Sequence, residues 1–398
     1  MFSRLKNIFL FKKITGFKNR FQNRYLAKNI KREILELYIS TIIRNFAISL
    51  ISIFEPVYLY TLGYPLQWII FYYAMIFTGF FFLVPIGGKL SARFGFEHCM
   101  LYSIPVLILY YLTLYFIPSF SLCFFSAAFL AVLYKIIFWP AYHTDFAHYG
   151  NNLRRGKEIS TLNILIRLFV VAGPIIGGIV LTVFGFKILF IIVCLTLSIS
   201  IIPLFTTLET FKPVQFGYFE AFRRLFNPRF RRARLAFMGS AEEIIGITCW
   251  PIFIFVVLTS YTDLGFITSG ATIVSFLSIL IIGKWTDKKD KRKIIKISAI
   301  ALSLLWLVRF FARTSWGLLL VNSLSGISKD GIGIPMTAII YDAGCKRGNL
   351  KCVIFREMSL NLGKSLMAWS LVGILFFTNS WLVIFTLAGL ASLLYMAI

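Results

Sequence analysis

In 398 residues the chain carries 59% hydrophobic and only 14% charged side chains, with a mean hydropathy of +0.82, where soluble domains run roughly half apolar and a quarter charged. That composition excludes a water-soluble shell, and apolar runs without strict alternation exclude a lipid-facing β-barrel. The net charge of +25 would suit nucleic acid, but its placement along the chain points to a membrane.

Segment 1–36 holds 10 Lys and Arg residues interleaved with Phe2, Leu5, Phe9, Phe17, Phe21 and Tyr25. No apolar run there could act as a cleavable signal. Two readings fit: an amphipathic helix lying on anionic lipid, or a disordered basic tail. Apolar stretches then recur near 37–62, 66–88, 99–118, 119–142, 159–184, 186–208, 235–259, 265–285, 294–313, 314–343, 353–378 and 380–398. A helix needs roughly 20 apolar residues to cross a hydrocarbon core, so the expected fold is all-α and polytopic, with twelve transmembrane helices. The basic residues crowd the tail and every second loop, while the intervening loops hold only Lys187 and Arg313. By the positive-inside rule, both termini face the cytoplasm of a multi-pass plasma-membrane protein.

Segment 209–234, with Arg223, Arg224, Arg229, Arg231, Arg232 and Arg234, divides the spans into a six-helix bundle over 37–208 and another over 235–398. Landmarks repeat between the halves. Pro56 and Pro251, Gly88 and Gly283, and Pro140 and Pro335 share one offset, and Tyr142, Glu158 and Ser160 match Tyr341, Glu357 and Ser359 at a slightly larger one. Duplicated six-span units are related by an axis along the membrane normal, with a cavity between them.

Gly88, Leu90, Ala92, Arg93 and Gly95 follow the second span, and Gly283, Trp285, Asp287, Lys288, Lys291, Arg292 and Lys293 follow the eighth. These loops, with the Gly173, Pro174, Gly177, Gly178 cluster of the fifth span, resemble the major facilitator superfamily from about residue 37 onward. The resemblance implies two pseudo-symmetric bundles, a central cavity lined by spans 1, 4, 7 and 10, and cytoplasmic gate loops. Into that gate it places Gly88, Arg93, Gly95, Asp145, Arg154, Arg155, Gly283, Asp287, Lys288 and Arg292. It also links the GPxxGG cluster to antiporters, beside the plainer reading of a close-packed helix face. Asp287 reads as the cap of the ninth helix and a partner for its basic neighbours, or as part of a solvated loop.

A charge at the centre of a spanning helix costs at least about 2.5–3.5 kcal/mol, so each needs a partner, water or a role. The candidates for a substrate and proton cavity are Arg44, Glu55, Lys135, Arg167, Glu242, Glu243, Lys329, Asp330 and Lys364. Arg309 lies near a helix end and is expected to snorkel. Depth suggests that Arg44 pairs with Glu242, and the repeat offset that Lys135 pairs with Asp330. Glu55, beside the helix-loosening Pro56, is either a proton carrier or a fixed partner of a tyrosine or basic side chain. The slight basic excess favours an organic anion as substrate.

The expected function is therefore a secondary transporter that moves a small solute by alternating access with protons as coupling ion, working as a monomer among membrane lipids. A drug or lipid efflux pump of the same fold is the alternative. A membrane enzyme on a lipid-linked substrate ranks below both, since His143, Asp145 and His148 form the nearest approach to a catalytic cluster. No phosphate-cradling loop for ATP appears. Neither a cofactor nor a metal is expected, and the six cysteines show no CxxC pair and imply no disulfide frame.

Overall fold

The computed structural model describes residues 32–149, 153–203, 217–288, 290–342 and 350–398, and the basic tail lies almost wholly outside them. Among the described residues there is no strand, as lipid demands, because a helix satisfies its backbone polar groups within its own segment. The helices are α1 (Arg32–Ile51), α2 (Glu55–Thr61), α3 (Leu66–Phe94), α4 (Phe96–Phe116), α5 (Cys123–Tyr149), α6 (Leu153–Ile201), α7 (Tyr218–Leu225), α8 (Arg231–Met238), α9 (Glu242–Ile247), α10 (Cys249–Leu258), α11 (Tyr261–Lys288), α12 (Lys291–Val308), α13 (Ser315–Asp342), α14 (Leu350–Leu375) and α15 (Trp381–Ser392).

Nine helices among the described residues are long and apolar enough to cross a membrane, so the chain is a multi-pass helical membrane protein. The difference from the twelve expected spans has local causes. Leu168–Ile201 forms one 34-residue apolar stretch, yet Gly185 within it has φ 75° and ψ −179°, a conformation open to glycine. The path turns there, where spans were expected to meet. Helix α13 is diluted by serines, glycines, Lys329 and Asp330, and the last apolar helix, Trp381–Ala397, is short.

Two rods are broken in mid-course. Helix α1 stops at Ile51 and α2 restarts at Glu55, because the Pro56 ring displaces the carbonyl four residues back and supplies no N–H. Glu55 therefore sits in the first turn after a break. The corresponding rod is interrupted at Thr248, with φ −114° and ψ −69°, just before Pro251, and again over Gly239–Ala241, which places Glu242 and Glu243 at the head of the short α9.

Helix α1 packs on α6, α3 on α5 and α14, and α11 on α6 and α13. The Gly173, Pro174, Gly177, Gly178 cluster makes two of these contacts. A Cβ at Gly173 would strike the Ser49 side chain and one at Gly177 the Leu50 carbonyl, while Gly178 faces the backbone of Tyr261. This geometry favours the close-packing reading.

Several local expectations are corrected. The cap of α12 is Asp290, whose Oδ1 accepts from the Arg292 amide at 2.9 Å. Asp287 instead belongs to α11, which runs on to Lys288, because a helix continues until a residue offers its amides an alternative. His98 lies in the first turn of α4, and His143, Asp145 and His148 lie within α5, which continues to Tyr149 where a loop was expected. The basic linker is not plain coil throughout. Its α7 turns Phe222 onto Phe81 and Phe82, and its Tyr218 hydroxyl donates to the Phe82 carbonyl at 3.2 Å. Cys352 is disulfide-bonded although no spacing motif announced it, while Cys99, Cys123, Cys194 and Cys249 are free.

Candidate functional site

The break between α1 and α2 opens onto a cavity of about 460 Å³ whose lining includes Arg44, Asn45, Glu55 and Lys135. Phe77 of α3, Tyr110 and Tyr111 of α4, Tyr134 of α5 and Gly246, Pro251 and Thr268 from the second half of the chain complete much of its wall. Its size is that of an ordinary small-molecule site. Glu55 Oε2 accepts from the Tyr110 hydroxyl at 3.0 Å, and that hydroxyl in turn accepts from Tyr72 at 3.4 Å. Glu55 thus has a tyrosine partner and still faces the cavity.

Arg44 has 5% of its surface exposed. Its guanidinium stacks 3.5 Å from the Phe138 ring centroid, Nη1 donates to Asn45 Oδ1 at 2.9 Å, and Nε has no partner. Lys135 and Lys364 each lie 5.5 Å from the centroid of the Phe77 ring, a cation–π arrangement shared by one aromatic face pair.

In the second half two lysines find carboxylates within that half. Lys364 Nζ meets Glu243 Oε2 at 2.6 Å, joining α14 to α9. Glu242, fully buried, meets Lys329 Nζ at 3.0 Å and accepts from Trp306 Nε1 at 3.1 Å. The expected pairing of Arg44 with Glu242 is therefore replaced. The break around Gly239–Ala241 swings the carboxylate toward α12 and α13, where Lys329 and an indole reach it. Lys135 likewise stays on the wall of the cavity. Asp330 accepts instead from the hydroxyls of Ser275 and, at 3.3 Å, Ser278, since it lies on the α13 face that packs against α11.

Arg309 does not snorkel. It is 3% exposed, with its guanidinium 3.7 Å from the Trp306 ring centroid and 4.4 Å from that of Trp250, so indole faces rather than headgroups hold it.

Of the expected gate residues, Gly88 is buried on α3 and Arg93 occupies its last turn. Gly95 turns the chain into α4 with φ 96°, a value that favours glycine. Gly283 lies on α11 with open space where a Cβ would project, and Arg292 joins the α12 cap. The side chains of Asp145, Arg154, Arg155, Arg167, Asp287 and Lys288 lie outside the described ones, although all six residues are helical.

Sequence reasoning missed three features of this region. A tyrosine partner for Glu55 was among the expectations, but the tyrosines at 72, 73, 110 and 111 that surround it were not named, and their adjacent pairs in apolar runs were a usable signal. Trp306 anchors Glu242. His143 Nε2 approaches Glu357 Oε1 at 3.6 Å, bridging α5 and α14, while Arg356 holds the same carboxylate oxygen at 3.2 Å.

No family model matches the chain. Over 221 residues it is 24% identical to the "Multi-drug resistance efflux pump PmrA homolog" of Lactococcus lactis subsp. lactis (strain IL1403), a match that covers 53% of this chain and 55% of that protein. The similarity thus spans about half the length of each.

Proposed function

We propose that the chain is a secondary transporter of the major facilitator type, crossing the plasma membrane twelve times in two six-helix halves, 37–208 and 235–398, joined by the linker 209–234. The Gly185 turn, α13 and the short Trp381–Ala397 helix are the proposed crossings beyond the nine long apolar helices. The basic loops place both termini in the cytoplasm.

One observation carries the transport reading. The cavity of about 460 Å³ lies inside an otherwise apolar helical bundle, is walled by both halves, and holds Arg44, Glu55 and Lys135. Ions inside a bilayer mark substrate or proton paths, and walls contributed by two halves allow access to alternate as the halves rock. Glu55 is the proposed proton carrier, since it combines a helix break, a tyrosine partner and a face on the cavity. Gly95, Arg93 and the α12 cap around Arg292 are the proposed gate on the basic side.

A second reading, export of drugs or lipids by the same architecture, is favoured by the similarity to a protein described as a multidrug efflux pump. The test is reconstitution in liposomes under an imposed proton gradient, with the internal pH followed as candidate solutes are added. Solute-dependent proton movement, lost in Glu55→Gln while solute exchange survives, supports coupled transport. Efflux would appear as reduced dye accumulation in cells that express the protein. Proton movement indifferent to every solute, with no exchange and no efflux, would defeat both readings.

A further inference from the structure

The cavity contains a surplus positive charge that no carboxylate among the described residues answers. In the second half, Lys329 and Lys364 have carboxylates at 3.0 and 2.6 Å, while Arg309 is enclosed between two indole faces away from the cavity lining. Arg44 and Lys135 have none within ion-pair distance among the described residues, and the one carboxylate of the cavity, Glu55, is engaged by Tyr110. The Arg44 guanidinium carries five N–H donors in a planar fork. Asn45 takes one donor, Phe138 covers a face, and Nε has no partner although the side chain is 95% shielded, with 5% exposed. Burying such a group without a counter-charge is costly, and the cost is recovered when an anion arrives. The stacked guanidinium is also held in orientation, which suits two-point recognition of a carboxylate or a similar acid.

The rest of the wall narrows the class. Ile48, Ile53, Ile76 and Phe77 are apolar, and Trp139 presents an aromatic surface. Two cations against one carboxylate leave a single positive charge to neutralise, so a monovalent acid fits better than a multiply charged phosphate. A cation would meet repulsion from both basic side chains in a low-dielectric setting.

We infer that the cavity takes an amphipathic organic monoanion, its acid group held by Arg44 and Lys135 and its apolar body against Phe77 and Trp139. This rests on reading the same cavity as the transport site, and it separates this chain from pumps that select lipophilic cations.

The experiment uses purified full-length protein in detergent and three matched probes: 2-naphthoate, 2-naphthamide and 2-naphthylmethylammonium. The expected result is saturable naphthoate binding at least about tenfold tighter than that of the other two, as fits a desolvated charge contact. Arg44→Gln and Lys135→Gln should each weaken naphthoate at least about tenfold, and Arg44→Lys should recover part of the loss. If Arg44→Gln does not fold, Lys135→Gln decides, since Lys135 is only half-buried. Equal or tighter binding of the amide or the ammonium, or naphthoate binding unchanged in the variants, overturns the inference. Proteoliposome exchange keeps the two claims apart. Naphthoate that binds through Arg44 but never crosses leaves the anion site standing and defeats the transport reading. Transport of a neutral or cationic solute through the same cavity does the reverse.

Discussion

Glu242 and Trp306 are joined by a hydrogen bond of 3.1 Å in a place where the carboxylate has no exposed surface. The indole N–H is the only directed donor to that carboxylate among the described residues, because the Lys329 ammonium at 3.0 Å acts through charge and leaves Oε1 without a well-aligned hydrogen bond. Removing one partner of a buried polar pair leaves the other with its full desolvation cost. Trp306→Phe should therefore lower stability by about 1–3 kcal/mol. The check is thermal unfolding of the purified protein followed by tryptophan-independent aggregation, and an unchanged midpoint would show that Glu242 finds another donor.

The same carboxylate permits a cycle with Lys329. Lys329→Met strands a buried negative charge and should destabilise strongly, whereas the double replacement Glu242→Gln with Lys329→Met should recover most of the loss, since an absent pair costs less than half a pair. Urea or heat titration of the two singles and the double tests this. Additive losses would mean that the contact carries no coupling.

Much of the fold was legible in the sequence, and for a physical reason. Lipid leaves the backbone no alternative to helix, so long apolar runs announce spanning helices with little help from packing, and nine such helices stand among the described residues. The span boundary near Gly185 and the loosening at Pro56 were legible too, being written in backbone chemistry, while the break at Thr248 was not read, since Pro251 stood only as a repeat landmark. The ion pairs were not. Depth along a straight rod set Arg44 against Glu242, but α8, the Gly239–Ala241 turn and α9 do not form a straight rod, and the carboxylate faces Trp306 and Lys329. Partner choice depends on rotation about each axis and on breaks, which spacing alone does not record. Arg309 was misjudged because indole faces can shelter a guanidinium as effectively as an interface can.

The GPxxGG cluster yields a prediction that separates packing from mechanism. A methyl at Gly177 would meet the Leu50 carbonyl and the Phe54 ring, with no flexible neighbour to give way. Gly177→Ala should lose about 1–3 kcal/mol through overpacking, seen as lower detergent-solubilised yield and a lower unfolding midpoint. A variant of normal stability that no longer transports would restore a direct mechanistic role to the motif.

Alternating access makes a demand on the end of the bundle opposite the basic loops. There the Gln67 side chain donates to the Leu375 carbonyl at 2.8 Å and to Asn379 Oδ1 at 3.3 Å, linking α3 to the end of α14, and Thr182 meets Thr262 at 2.8 Å between α6 and α11. If the halves rock, both contacts must part once per cycle. In a background where the free cysteines Cys99, Cys123, Cys194 and Cys249 are replaced by serine or alanine, Gln67→Cys with Asn379→Cys should cross-link on mild oxidation. Transport should then stop and return on reduction, while either single variant remains insensitive to oxidant. Solute binding from the basic side should survive the cross-link, because the cavity is not altered by a tether at the far end. Full transport in the cross-linked protein would show that these ends never separate, and rocking of the two halves would have to be abandoned.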